Sequence, residues 1–240
     1  QVRIIDHAKA TGSSLIITTD CGTKDTQAVE YANQCGVDVI ITDHHILGPK
    51  LPNAISIINP YLNEEDVQDK ALSGSGVAFK LVVGLSKYLK RTYPKELYEY
   101  ILAIAAIGTI SDRMSLLVPV NRALIISGIS ALNHTKVAGL RALKEISFGH
   151  QGAVKAREIS RAISPRLNAP GRIGDRTEGI PDSSLVVDLM LVGLKGVYQR
   201  PGMGIKKYIS QFLKVIDFER SVKQGEDLIE DKYYQFRGQE

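Results

Sequence analysis

The sequence contains little of what marks a secreted or membrane-embedded protein. It has only two cysteines, Cys21 and Cys35, among 240 residues, and they do not form a CxxC pair. Two isolated cysteines provide neither a disulfide framework nor a zinc-binding pattern, so they fit the reducing cytoplasm. No apolar run approaches the roughly 20 residues that a membrane-spanning helix needs. We therefore expect a cytoplasmic protein with no membrane partner.

Internal repeats and low-complexity segments are absent as well, and the composition is that of a folded protein. Hydrophobic residues make up 44% of the chain and charged residues 23%, which argues against intrinsic disorder. A length of 240 residues suffices for one large domain or two small ones. The chain begins at Gln1 within a helical pattern, from which we expect that the natural N-terminus lies upstream.

Positive charge is concentrated in one part of the chain. Residues 136–176 contain nine Lys or Arg and three Asp or Glu, a net charge of +6, whereas the rest of the chain has a net charge of −2. A localised basic segment is typical of a surface that binds a polyanion. A solvated helix face would give the same count, so charge alone leaves both interpretations open.

Three short apolar segments predict a parallel sheet. They cover residues 15–19, 37–42 and 54–58, and a helical pattern over residues 25–34 separates the first two. Strands that alternate with a helix are typical of an α/β fold, here a parallel Rossmann-like sheet with flanking helices.

Beyond Pro60 the pattern is mostly helical. We predict a loop over residues 164–175, which are dense in Pro, Gly and Arg, and we divide the chain into domains 1–135 and 136–240. The predicted helices lie near residues 77–90, 95–108, 119–132, 137–146 and 153–163.

Ionisable residues follow two of the predicted strands. Asp20 follows the first strand, and Asp43, His44 and His45 follow the second. Ligands bind outside the carboxyl ends of parallel strands. One histidine can bind a metal ion, the other can donate to a phosphate oxygen or a leaving group, and Asp43 can orient a ligating histidine. The alternatives are that Asp20 caps the next helix and that the triplet is polar surface.

Asp112 ends a strongly apolar predicted helix and needs a partner, because an unpaired carboxylate is costly to bury. A cation held jointly with Asp20 and His44 is one solution, and an ion pair with Arg113 is the other. Carboxylates mixed with imidazole favour Mn²⁺ over Mg²⁺. Phosphodiester hydrolysis commonly uses two metal ions, and these three ligands leave a second ion under-supplied.

The predicted loop carries Arg166, Asn168 and Arg172 among stiff prolines and small glycines. Arginine binds phosphate in bidentate fashion, and asparagine can donate or accept beside it. These three residues are our candidates for nucleic-acid or phosphate binding. The alternative is a surface connector between helices.

Taken together, these motifs resemble the DHH phosphoesterase superfamily, and within it the RecJ-type exonucleases specific for single-stranded DNA. The resemblance covers about residues 1–178. Its motifs are ITTDCG at 17–22, TDHH at 42–45, LSGSGVAFK at 72–80, GTISD at 108–112 and SPRLNAPGRIG at 164–174.

The resemblance implies an enzyme of DNA repair or recombination that degrades single-stranded DNA from the 5′ end with Mn²⁺ or Mg²⁺. It implies metal ligation by Asp20, His44 and Asp112, contact of His45 with the scissile phosphate, and a supporting role for Asp43. Residues 1–135 then form the DHH core, and residues 136–240 a helical region that faces nucleic acid. Single-stranded DNA is the implied partner, with a single-strand-binding protein or a helicase as further candidates.

Two features of the family are missing from the sequence. These are the first Asp-x-Asp motif, which we expect upstream of Gln1, and the C-terminal substrate-binding domain. Without the first motif one metal site lacks ligands, so we expect activity from the intact protein rather than from this chain alone. The alternatives are a DHH enzyme acting on short oligonucleotides or cyclic dinucleotides, and an impaired relative that only binds single strands.

Overall fold

A computed structural model of the chain describes residues 2–63, 69–149, 152–173 and 183–191. The chain separates into two units, residues 1–131 and 132–240. The functional division at residue 135, with a second region that faces nucleic acid, stays a prediction. Residues 192–240, for which the sequence indicates no role, lie outside the described ranges.

The first unit is built on a sheet of three parallel strands in the order β1–β2–β3. The strands are β1 Leu15–Thr19, β2 Asp38–Thr42 and β3 Ser56–Ile58. Thr19 pairs with Thr42 and Thr42 pairs with Ile58, so all three strands end at the same level. The predicted parallel α/β sheet is confirmed, although β3 begins two residues later than expected.

One face of this sheet forms the first hydrophobic core. Side chains alternate between the two faces of a strand, and Val37, Val39 and Ile41 are 3%, 3% and 0% exposed. Helices α1 Val2–Ala10 and α2 Thr26–Gln34 contribute the remaining buried members of this core, which are Ile5, Val29 and Ala32.

Three longer helices follow, and the last three residues of the third belong to the second unit. The helices are α3 Gly74–Tyr88, α4 Lys95–Ser111 and α5 Pro119–His134, close to the predicted ranges. Helix α4 extends three residues further than predicted, so Asp112 is the first residue after its last turn. Gly128 of α5 lies so close to Leu102 and Ala106 of α4 that a Cβ at this position would overlap both.

The described part of the second unit is helical. It contains α6 Ala138–Phe148, α7 Ala156–Glu158, a π-helical turn Ile159–Ile163, α8 Ser164–Ile173 and α9 Ser184–Leu191. No helix in the described ranges of either unit is long and apolar enough to cross a membrane.

The predicted loop over residues 164–175 is helical as far as residue 173, so that prediction is wrong. The π-helical turn before it explains why. The backbone N–H and the hydroxyl of Ser164 both reach the carbonyl of the first residue in that turn, the hydroxyl at 3.1 Å. Pro165 then falls in the first turn of α8, where its missing N–H costs little. Only Pro170 lies inside α8.

The contact between α4 and α5 yields a stability prediction. We expect Gly128→Ala to lower the free energy of unfolding by about 1–3 kcal/mol, because the new methyl group overlaps Leu102 and Ala106. Gly84→Ala in α3 is the matched control, since nothing lies within 4 Å of its Cβ position. It should raise stability by up to about 1 kcal/mol through helix propensity. Urea denaturation followed by circular dichroism measures both, and equal effects of the two variants would contradict the packing described.

Candidate metal centre

The site lies where β1 and β2 end. The backbone N–H of Asp20 donates to the carbonyl of Thr42 at 2.9 Å, and that of Asp43 donates to Ile58 at 3.0 Å. The parallel register therefore brings the residues that follow the two strands side by side. This is the placement that the sequence predicts from strand order alone.

Asp20 occupies a left-handed backbone conformation, with φ of 63°. Such a conformation costs a non-glycine residue roughly 1–2 kcal/mol. The turn brings its carboxylate against the first residue of α3, Gly74, where a Cβ atom would overlap Asp20. Asp20 is not a helix cap, because α2 begins at Thr26 and its N-cap residue is Asp25. The capping alternative is therefore wrong.

His44 stands between two carboxylates. Its Nδ1 lies 2.9 Å from the carbonyl oxygen of Leu72, and a carbonyl only accepts, so Nδ1 carries the proton. In the neutral ring this leaves a lone pair on Nε2, which lies 3.0 Å from Oδ1 of Asp20 and 3.5 Å from Oδ2 of Asp112. Within the described part of the chain, this buried Nε2 makes no hydrogen bond.

Nε2 of His44 and the two carboxylates need a positive charge among them. Without one they repel one another, and that charge is either a proton on Nε2 or a bound cation. One nitrogen and two oxygen donors are a ligand set that divalent transition metals accept. Asp112 approaches His44 rather than forming an ion pair with Arg113. The structure thus brings the carboxylates of Asp20 and Asp112 to the same ring nitrogen of His44, although Asp112 is not part of the group whose ligand atoms all lie close to one another.

The charges of the cluster perturb the acidity of its members. Partial burial raises the pKa of Asp20, His44 lowers it when its ring is protonated, and the nearby carboxylate of Asp112 raises it again. Ligand atoms of Asp20, His44 and His45 all lie within 4.8 Å of one another. His45 therefore borders the proposed ion position, although the sequence assigns it to the substrate rather than to the metal.

Asp43 holds the ring of His45. Its Oδ1 accepts from Nδ1 of His45 at 2.7 Å and from the backbone of His44 at 2.8 Å, and its Oδ2 accepts from the backbone of Thr23 at 3.0 Å. Burial alone raises the pKa of Asp43, but the hydrogen bonds from His45 and Thr23 outweigh it and hold the pKa well below its ordinary value. The same hydrogen bond to Asp43 raises the pKa of His45.

Several supporting groups escaped prediction. The sequence predicts that Asp43 orients the ligating histidine, whereas the carbonyl of Leu72 orients the ring of His44 and Asp43 orients His45. The amide of Asn59 donates to Thr23 and to the backbone of His45, which braces the loop behind the histidines. The contact of a backbone carbonyl does not depend on residue type, so the sequence could not predict the role of Leu72. The position of Asn59 predicts only the end of β3.

The predicted phosphate-binding residues lie in α8 of the second unit. Nη1 of Arg166 donates to the carbonyl of Ala162 at 2.7 Å, which ties part of its guanidinium to the π-helical turn before α8. Asn168 is exposed. The backbone of Arg172 belongs to α8, and its side chain lies outside the described set. Their role in binding stays a prediction.

Known proteins are similar to this chain in sequence and in fold. Residues 2–109 match the DHH family, N-terminal domain. The single-stranded-DNA-specific exonuclease RecJ of Salmonella typhimurium is 38% identical over 189 residues, which are 74% of this chain and 32% of that protein.

Solved structures of a RecJ from Thermus thermophilus superpose on the chain. Its complex with Mn²⁺ has a TM-score of 0.74 at 27% identity and covers 93% of this chain and 30% of that one. Its complex with Mg²⁺ has a TM-score of 0.60 at 26% identity, over 93% of this chain and 29% of that one. The chain spans between a fifth and a third of the length of the curated relatives that it matches.

The Asp43–His45 pair generates a pH prediction. Because the hydrogen bond to Asp43 raises the pKa of His45, we expect a ring titration above the ordinary value of histidine in the metal-free chain. In Asp43→Asn the negative charge is gone, so the midpoint should fall to or below the ordinary value, near 6.5. NMR titration of the His45 ring measures both midpoints. Equal midpoints in the two proteins would show that the pair does not form.

Gly74 generates a second prediction. We expect Gly74→Ala to weaken Mn²⁺ binding by about tenfold or more, because its methyl group displaces the carboxylate of Asp20. Gly84→Ala lies in the same helix with open space around it and should leave binding unchanged. Isothermal titration calorimetry compares the two, and wild-type affinity in Gly74→Ala would remove Asp20 from the site.

Proposed function

Because residues 2–109 belong to the DHH family, we propose that the chain provides the metal centre of an exonuclease that hydrolyses phosphodiester bonds in single-stranded DNA. The observation that carries the proposal is the buried Nε2 of His44, which faces two carboxylates and makes no hydrogen bond among the described residues. The relatives named as exonucleases, and their structures with Mn²⁺ and Mg²⁺, support it.

Asp20, His44 and Asp112 are the residues that would hold a divalent ion, with Mn²⁺ favoured over Mg²⁺ by the imidazole nitrogen. When bound, such an ion supplies positive charge against the phosphate oxygens and acidifies water at neutral pH. The three side chains offer donors for one ion. A second ion would need ligands from beyond this set.

His45 is the proposed hydrogen-bond donor to the phosphate or the leaving oxygen. Its side chain is 57% exposed, whereas that of Asp43 is 3% exposed. Asp43 fixes the orientation of the ring through Nδ1 and favours its protonated form by raising its pKa. A protonated imidazole that is held in place and open to solvent is suited to meet an anionic substrate.

The second unit would extend the contact with nucleic acid. Its basic segment has a net charge of +6, and we assign phosphate contacts to Arg166, Asn168 and Arg172. The charge would make binding fall steeply as salt concentration rises.

The wider role follows from the same resemblance. We propose degradation from the 5′ end, in DNA repair or recombination, by a cytoplasmic protein that works beside a single-strand-binding protein or a helicase. Support for this wider role comes from the sequence motifs, whereas the names of the relatives support only exonuclease activity on single-stranded DNA.

A nuclease assay on the intact protein that contains this chain tests the proposal. We expect Mn²⁺-dependent release of nucleotides from a single strand, and a loss of more than about 100-fold in His44→Ala and in Asp112→Ala. Asp38→Ala is the matched control, because Asp38 is an exposed carboxylate at the opposite end of the same strand. It should retain wild-type activity.

Three outcomes would contradict the proposal. Full activity in His44→Ala and Asp112→Ala would remove the metal centre. Faster cleavage of dinucleotides than of long single strands would assign the chain to the enzymes of short substrates. Salt-sensitive binding of single strands without any cleavage in Mn²⁺ would make it a binding protein.

A further inference from the structure

Three buried polar side chains lie behind the metal centre without touching the proposed ion. Ser73 is 1% exposed, and Thr109 and Asn121 are both 0% exposed. They come from three places in the first unit, namely the residue before α3, the last turns of α4 and the first turn of α5. We refer to Ser73, Thr109 and Asn121 as the polar brace.

The first contact of the brace joins α3 to α4. The hydroxyl of Thr109 donates to the carbonyl of Ala105 at 2.8 Å, so its oxygen is left to accept from Ser73, which lies 2.9 Å away. The hydroxyl of Ser73 in turn accepts from the backbone N–H of Gly76 at 3.1 Å and so caps α3. This hydroxyl pair joins the first turn of α3 to α4, together with the hydroxyl of Ser75, which donates to the carbonyl of Ala105 at 3.3 Å.

The second contact joins two backbone segments through one amide. Nδ2 of Asn121 donates to the carbonyl of Ala71 at 2.6 Å and to that of Ser115 at 3.0 Å. Both of its hydrogens are thereby used, and its Oδ1 accepts no hydrogen bond from the described residues. An amide so deeply buried with an unused acceptor is unfavourable for stability.

Each segment that the brace holds also holds part of the metal centre. Ala71 precedes Leu72, whose carbonyl orients His44, and Ser73 precedes Gly74, which makes room for Asp20. Thr109 and Ser115 lie on either side of Asp112. The brace thus connects the part of the site that contains Asp20 and His44 with the part that contains Asp112.

We propose that Ser73, Thr109 and Asn121 are positioning residues that set the separation of Asp112 from His44, and thereby the affinity for the divalent ion. The inference rests on the proposed function for the identity of that ion. A brace that served stability alone would be served better by apolar side chains of the same size, because buried apolar groups need no partners.

Thr109 permits a clean test, because valine has its shape without the hydroxyl and serine keeps the hydroxyl. We expect Thr109→Val to weaken Mn²⁺ binding by about tenfold to 100-fold in calorimetry, the range found for groups that orient metal ligands. Thr109→Ser should stay within about twofold of wild type. Asn121→Leu should weaken binding as Thr109→Val does.

Asn133→Leu in α5 is the control for loss of a half-buried amide. Asn133 also bridges backbone groups, those of Val154, but it lies in the second unit. It should lower the melting temperature and leave Mn²⁺ affinity at the wild-type value. Equal loss of affinity in Asn133→Leu would mean that the effect reports stability only, and would overturn the inference.

Wild-type affinity in a folded Thr109→Val protein would also overturn it. Should the wild-type chain itself bind no Mn²⁺, the proposed function fails separately. The inference is then decided by crystal structures of the metal-free proteins, in which the distance from Nε2 of His44 to Oδ2 of Asp112 should lengthen from 3.5 Å in Thr109→Val. An unchanged distance contradicts it.

Discussion

The hydrogen bond from His44 to the carbonyl of Leu72 is the interaction on which the rest of the site depends. It places a proton on Nδ1, so in the neutral ring Nε2 presents a lone pair to Asp20 and Asp112. A protonated Nε2 would turn the same cluster into an ordinary salt bridge. The carbonyl of Leu72 selects the tautomer of the neutral His44 ring. The tautomer therefore depends on the path of the backbone just before α3, and so on the packing of that helix.

The parallel sheet supplies the other half of the geometry. Its register ends β1 and β2 at the same level, so Asp20 and Asp43 leave neighbouring strands together. The sequence predicts this placement, because the two residues follow neighbouring parallel strands and ligands bind outside the carboxyl ends of such strands. The same holds for Asp112, since an apolar helix that ends in a carboxylate calls for a partner.

The remainder could not be predicted from the sequence, and the reasons are physical. Asp43 pairs with the ring of His45 rather than with that of His44, whose Nδ1 contacts the carbonyl of Leu72, and spacing alone does not reveal this choice. The left-handed backbone conformation of Asp20 could not be predicted from its residue type. Residues 164–173 contain two prolines, which are unfavourable inside helices, so their composition predicts a loop. In the structure a π-helical turn precedes them, and Pro165 falls in the first turn of α8.

The metal centre is tested most directly by anomalous diffraction at the manganese edge from crystals of the chain grown with Mn²⁺. We expect a single strong peak within coordination distance of Nε2 of His44, of Asp20 and of Asp112. A peak bound to other residues, or none at saturating Mn²⁺ with the three side chains arranged as described, would contradict it.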